Sequence, residues 1–308
     1  MPHPIKKILA NSKYFFKAHV FNPVWLPRGE RRMRRQFAYA DMKTSLLEKY
    51  IPFIKSLTPP GNLEADKSEE PEKIFSLWFQ GEENAPEIVK RCLDSIRKRY
   101  PHNFIVLDDH TFRDLIDLPE FIMKKWEERK IVAPNFSDIV RIELLYQFGG
   151  YWFDATDFMI APIPEIIRKS DFFMYVTDKH SLPHMFVQTC FMRAKRRDPL
   201  LAMWRSLIFE YWKQEDKAID YFLVHFLFKM LVTHNDEASR LYEEMPKLQM
   251  EPTHRLWYHT GDLPFDRDEY NKMVEETVFQ KCSYKKQKRG LRDIVPGSMA
   301  DFVFNKAN

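Results

Sequence analysis

The sequence predicts an α/β protein with a mostly parallel central sheet, and three observations carry that prediction. The first is the run from Ser137 to Asp157. It reads as a helix with one apolar face, a Gly149-Gly150 stop, the strand Tyr151-Trp152-Phe153, and then carboxylates at Asp154 and Asp157. The second is that this strand shows no polar alternation, the pattern of a strand covered on both faces. The third is an apolar segment from Lys73 to Phe79 followed by an amphipathic helix from Ala85 to Arg99, so that strand and helix patterns alternate. Open α/β sheets bind ligands beyond the carboxyl ends of their strands, which is where Asp154 and Asp157 stand.

Residues 1–58 read as a basic, aromatic, helical appendage. Up to Lys43 they carry Lys6, Lys7, Lys13, Lys17, Arg28, Arg31, Arg32, Arg34, Arg35 and Lys43 against Glu30 and Asp41 alone, with Tyr14, Phe15, Phe16, Phe21, Trp25 and Leu26 interleaved. Such a stretch suits peripheral contact with anionic lipid headgroups. It equally suits a helical hairpin packed on the main domain. Pro59-Pro60-Gly61 through Glu69-Glu70-Pro71 is polar and proline-bearing, so 59–72 reads as a linker and 73–308 as one large domain.

In that domain Lys73 to Phe79 is the first strand. In the helix after it Ile88, Cys92 and Ile96 share a face and Pro101 ends it, and Ile105-Val106-Leu107-Asp108 follows as a strand. Asn135 or Ser137 caps the next helix, Asp138 suits its positive end, and Ile139, Ile142 and Tyr146 recur on its buried side. Glycine enters the left-handed region cheaply and only 8 serve all 308 residues, so two together mark a tight turn. Asp171 to Thr177 and Met185 to Arg193 read as strands, and Leu200 to Trp212 and Ala218 to Val232 as helices.

Composition narrows the function. The net charge is +4, no nucleic-acid reader motif is present, and the positive charge is concentrated at the two ends, which sets nucleic-acid binding behind other readings. No apolar run reaches membrane length, and Lys6, Lys7, Lys13 and Lys17 interrupt any secretory hydrophobic region. Cys92, Cys190 and Cys282 lack metal-like or disulfide-framework spacing, as expected of reduced thiols in a cytoplasm.

Ser137 to Asp157, Ile74 to Gly81 (IFSLWFQG), Asn84-Ala85-Pro86-Glu87, the Ile105 strand and Asp220-Tyr221-Phe222-Leu223 together resemble the capsular polysaccharide synthesis family of bacterial glycosyltransferases, over about Lys73 to Lys285. Its relatives are DXD-containing sugar transferases such as Golgi mannosyltransferases and glucosylating toxins. The resemblance implies a GT-A fold, a nucleotide-binding sandwich that moves a sugar from a nucleotide-sugar donor, most commonly UDP-linked, to a polysaccharide or lipid-linked oligosaccharide acceptor. It also implies retention of anomeric configuration and work in the cytoplasm at the inner face of the plasma membrane.

Residue by residue, the resemblance makes Asp154 and Asp220 catalytic. It gives donor binding to Asp138, Arg141, Gly150, Lys281 and Lys285, while Trp78, Gln80 and Gly81 are candidates for holding the base because residues just after the first strand of a doubly wound sheet meet the nucleotide. It gives Mn²⁺ or Mg²⁺ to Asp154, Thr156, Asp157 and His259. Two departures bear on the metal. Thr156 stands where the family has its second DXD carboxylate, and Gln280 stands at an expected histidine. Asp157 can share a side with Asp154 only if the backbone turns between them.

The residues alone leave plainer readings open. Asp138 and Arg141 pair along a helix, Asp154 and Asp157 are turn or capping residues, Trp78 is core, Asp220 complements a helix amino end, and His259 is an exposed loop residue. Lys281 and Lys285 belong to a solvated basic run with Lys286, Lys288 and Arg289. A non-catalytic nucleotide-sugar-binding protein with a degenerate transferase fold is the second function these departures suggest.

Overall fold

The computed structural model describes residues 12–13, 27–60, 72–177, 185–285 and 294–306. Most of the basic arm before Pro27, the linker from 61 to 71, and Lys286, Lys288 and Arg289 lie outside the described residues.

The described strands are β1 (Ile74–Leu77), β2 (Phe104–Leu107), β3 (Gly150–Phe153), β4 (Asp157–Met159), β5 (Phe172–Val176), β6 (Val187–Ala194) and β7 (Phe279–Lys281). Five of them form one sheet in the order β2-β1-β3-β6-β5, while β4 and β7 pair separately as an antiparallel ribbon. β1 is parallel to both β2 and β3, and β6 is antiparallel to both β3 and β5, so four strands of the sheet run one way and β6 runs against them.

Eleven α-helices surround these strands among the described residues: α1 (Arg28–Leu47), α2 (Ile51–Ser56), α3 (Glu87–Arg99), α4 (Glu120–Glu127), α5 (Ala133–Phe148), α6 (Glu165–Arg168), α7 (Pro199–Gln214), α8 (Leu223–His234), α9 (Asp236–Glu244), α10 (Arg267–Glu276) and α11 (Met299–Asn305).

β3 is buried along its whole length, as its unalternating sequence requires. The pleat sends neighbouring residues to opposite cores. Trp152 joins the larger core with α5, α7 and α8, whereas Tyr151 and Phe153 join a second core with Ile96, Ile167 and Phe279. The same split occurs in β5, where Phe172, Met174 and Val176 go one way and Phe173 and Tyr175 the other. Each such fully buried aromatic contributes about 1.5–3 kcal/mol relative to exposure.

Two helix starts differ from expectation. α5 begins at Ala133, with Val132 as its uncapped N-terminal neighbour and Pro134 in the first turn. Proline costs nothing where the first amides are unsatisfied anyway, so the helix starts early and neither Asn135 nor Ser137 caps it. The Asn135 amide instead donates to the Tyr221 carbonyl at 3.2 Å. α8 begins at Leu223, because the preceding backbone is captured by side chains: Asp220 Oδ1 accepts from Phe222 N at 2.8 Å and Tyr211 Oη accepts from Ile219 N at 3.0 Å.

The glycine pair has a steric cause. Gly149 and Gly150 adopt φ of 69° and 91°, and a Cβ on Gly150 would lie 2.1 Å from the Lys73 carbonyl oxygen. That oxygen accepts the Tyr151 amide at 2.8 Å, so the close approach is what lets β3 enter the sheet beside β1.

α1, α2 and the turn Glu48–Tyr50 between them contribute Ala40, Leu47, Tyr50 and Ile54 to the larger core, and the Asn235 amide donates to the Ile54 and Leu57 carbonyls, both at 2.9 Å. The Tyr39 hydroxyl donates to Asp220 Oδ2 at 2.6 Å and the Lys43 ammonium to the Ile219 carbonyl. The amino-terminal turns of α1 leave Arg32, Arg34 and Arg35 exposed beside Met33 and Phe37. No helix among the described residues is long and apolar enough to cross a membrane.

Candidate functional site

The backbone turn required to bring Asp157 beside Asp154 is present. β3 ends at Phe153, the chain reverses through Ala155 and Thr156, and β4 begins at Asp157. Asp157 N donates to the Asp154 carbonyl at 2.9 Å, while Asp154 N donates to the Cys190 carbonyl at 2.8 Å and to Asp157 Oδ2 at 3.3 Å.

The β4–β7 ribbon sets Lys281 directly opposite Asp157. Its ammonium donates to Asp154 Oδ2 at 2.7 Å and to Asp157 Oδ1 at 2.9 Å. From α5, Arg141 donates through Nη2 to Asp154 Oδ1 at 3.0 Å and through Nη1 to the Thr189 carbonyl at 2.6 Å, with Asp138 Oδ1 3.3 Å from Nη1. Its guanidinium lies 5.0 Å from the centre of the Trp152 ring, and Trp152 Nε1 donates to Asp154 Oδ1 at 2.8 Å. Asp154 therefore holds two cations drawn from opposite sides of the fold.

Burial works against the Asp154 carboxylate, but Lys281 and Arg141 outweigh it and keep its pKa below the ordinary value. Burial likewise opposes the Lys281 ammonium, and Asp154 and Asp157 reverse the effect, raising its pKa well above normal. The scale is sufficient: at an effective dielectric of about 20, opposite unit charges about 3 Å apart attract by roughly 5–6 kcal/mol. Asp157 and Asp138 go the other way. Burial pushes each up to about 7, against the pull of Lys281 on Asp157 and of Arg141 on Asp138.

A carboxyl whose folded pKa is raised from 3.8 to about 7 binds its proton more tightly in the folded state, so its stability contribution is present below pH 3.8 and is lost as pH rises to about 7. Asp138 faces Arg141, Asp154 and Asn135. The wild type is thus expected to lose stability relative to Asp138→Asn across that window, read from urea midpoints. Parallel curves for the two proteins rule the assignment out.

The structure brings together several of the remaining expected residues. Trp78 follows β1 and stands edge-on to Tyr284 at 5.2 Å, and the Lys285 ammonium lies 5.6 Å from the Tyr284 ring. Trp78 Nε1 is buried with no hydrogen-bond partner among the described residues. Gln80 and Gly81 continue the turn after Trp78: the Gln80 carbonyl accepts from Asn84 Nδ2 at 2.8 Å, and Gly81 has φ of 81°.

Others stand apart. Gly150 lies at the opposite end of β3, packed on the Lys73 backbone, so its demand for glycine is met by strand packing rather than by a ligand. Asp220 is committed to Tyr39 and the Phe222 amide. The Thr156 carbonyl accepts the Cys282 amide at 2.8 Å, extending the ribbon. His259 is exposed on the π-helical turn Leu256–Thr260. Gln280 is fully buried, donating to the Pro252 carbonyl at 2.9 Å and accepting from Leu256 N at 2.8 Å.

Sequence reasoning missed two neighbours. His254 has its pKa pushed down to about 4 by burial and then by the charge of Lys281. The Tyr221 hydroxyl is raised by burial and then by the charges of Asp154 and Asp138. Tyr221 stood within the quoted Asp-Tyr-Phe-Leu segment, one residue from the one chosen, whereas nothing local singled out His254. A separate cavity of about 440 Å³, lined by Pro164, Tyr175, Leu248 and Thr277 among others, includes none of the residues of the Asp154 cluster.

The acids of the cluster are already engaged by protein donors. Among the described residues no group of three or more His, Cys, Asp or Glu side chains converges to hold a metal. Every carboxylate oxygen of Asp154 and Asp157 already accepts from a protein donor: Arg141 and Trp152, Lys281, Lys281 again, and the Asp154 amide.

No solved structure matches the chain. The O-glycosyltransferase braB of Annulohypoxylon truncatum is 24% identical to it over 156 residues, 45% of this chain and 37% of the relative, so the chain spans little more than a third of that protein's length. The family model described as Capsular polysaccharide synthesis protein matches residues 30–299, a span that includes α1, both cores and the whole Asp154 cluster, and the chain therefore belongs to the capsular polysaccharide synthesis protein family.

Proposed function

We propose that the protein is a glycosyltransferase of GT-A type that takes a sugar from a nucleotide-sugar donor and places it, with retention, on an oligosaccharide or lipid-linked acceptor. The observation that carries this reading is the convergence of Arg141 and Lys281 on Asp154 at the carboxyl end of β3. Concentrated negative charge develops on a diphosphate as a sugar leaves it, and fixed cations at that point lower the barrier more than they favour the ground state. Arg141 offers a planar fork and Lys281 a point charge, two complementary ways to hold phosphate oxygens.

In this reaction the bond from the anomeric carbon to the diphosphate oxygen breaks, with its electron pair staying on that oxygen. The acceptor hydroxyl oxygen bonds the same carbon, and its proton passes to the departing diphosphate on the same face. Trp78 and Tyr284 form the aromatic wall for the base, and the unpartnered Trp78 Nε1 supplies a hydrogen bond to it. UDP is the first nucleotide to try, by analogy with similar enzymes.

Calorimetric titration with UDP- and GDP-sugars, followed by a donor-hydrolysis assay, tests the reading. Arg141→Met is expected to weaken nucleoside diphosphate binding by roughly 100-fold, because it removes one partner of a buried charge cluster. Donor binding without any turnover favours a degenerate, non-catalytic binder, the reading suggested by Thr156 and Gln280.

A further inference from the structure

Resting on the reading above, we propose that this chain uses the Lys281 ammonium in place of a divalent cation: held between Asp154 and Asp157, it is the charge that meets the donor diphosphate. The position carries the argument. A cation shared between a strand-end carboxylate and a second buried carboxylate occupies the place a divalent ion would take, and here the bridge is Nζ of Lys281 at 2.7 and 2.9 Å.

The surrounding residues agree with that substitution. Thr156 offers a hydroxyl where a second acid is expected, and its carbonyl is spent on the Cys282 amide. Gln280 has turned its amide inward to bracket the Pro252–Leu256 turn, so it is not available as a ligand. Asp157 is fully buried and opposes Lys281 in strand register, which fixes the lysine backbone and leaves only its side chain to move. A divalent ion entering between the acids would have to expel an ammonium that both of them hold, with Arg141 already on the far oxygen of Asp154.

Lys281 is also no part of a solvated tail. Its side chain is 20% exposed and sits on a paired strand, whereas Lys285, four residues on, is exposed. In the transfer step the leaving diphosphate keeps the bond's electron pair and takes the acceptor proton, and Lys281 and Arg141 stabilise it without any metal entering the balance.

The test uses the full chain with UDP and GDP as probes, titrated in excess EDTA and again with Mn²⁺. The affinity of the nucleotide that binds is expected to change by no more than about twofold between the two conditions. Mn²⁺ alone, followed by electron paramagnetic resonance, is expected to stay free with the wild type and to bind Lys281→Ala, where the two acids have lost their shared cation.

Binding that requires Mn²⁺, or Mn²⁺ captured by the wild-type protein without nucleotide, overturns the inference and leaves the proposed function standing. No binding of either nucleotide in either condition overturns both. If Lys281→Ala does not fold, the wild-type titrations decide the matter by themselves.

Discussion

Asp154→Asn is expected to lower sugar transfer by about 100- to 1,000-fold, the scale seen when a fixed electrostatic contact to a developing charge is lost. The cause lies in what Asp154 holds. Oδ1 accepts from Arg141 and Trp152 and Oδ2 from Lys281, so the asparagine loses the charge that keeps two cations side by side. The geometry adds a stability cost, because an uncompensated buried charge typically costs about 3–5 kcal/mol. Single-turnover donor hydrolysis measures the first effect and thermal unfolding the second. A near-normal rate in a protein of lowered melting temperature would leave Asp154 a purely structural residue.

Gly150→Ala is expected to destabilise the protein by more than about 4 kcal/mol, in the range reserved for a strained backbone combined with a core clash. The added Cβ meets the Lys73 carbonyl oxygen at 2.1 Å and the residue keeps a φ of 91°, so neither relaxation nor a rotamer change relieves it. Urea unfolding reads the loss. Donor affinity of whatever fraction stays folded at low temperature is expected to match the wild type, since Gly150 stands at the far end of β3 from Asp154. Selective loss of donor binding in a protein of normal stability would return Gly150 to the site.

The parts of the fold and site that the sequence revealed are those encoded locally. The unalternating Tyr151-Trp152-Phe153 foretold a strand buried on both faces, and the acids were readable as lying just past its carboxyl end. The helix starts at Ala133 and Leu223 were not legible, because each is decided by a neighbour: Pro134 extends one helix, and Asp220 with Tyr211 captures the backbone before the other.

The partners of the acids were equally hidden. Lys281 reaches Asp157 across 124 residues through a two-strand ribbon whose register no local pattern announces. His254 was invisible for the same reason, since only the packing of its turn brings it within reach of the lysine's charge.

The link between Tyr39 and Asp220, reinforced by Lys43 at Ile219, ties α1 to the segment that carries Tyr221. The first long helix is therefore anchored to the residues next to Tyr221, whose hydroxyl feels the charges of Asp154 and Asp138. Displacing that helix would strip both hydrogen bonds from Ile219 and Asp220, so the placement of the neighbouring tyrosine depends on how the amino-terminal helix is seated.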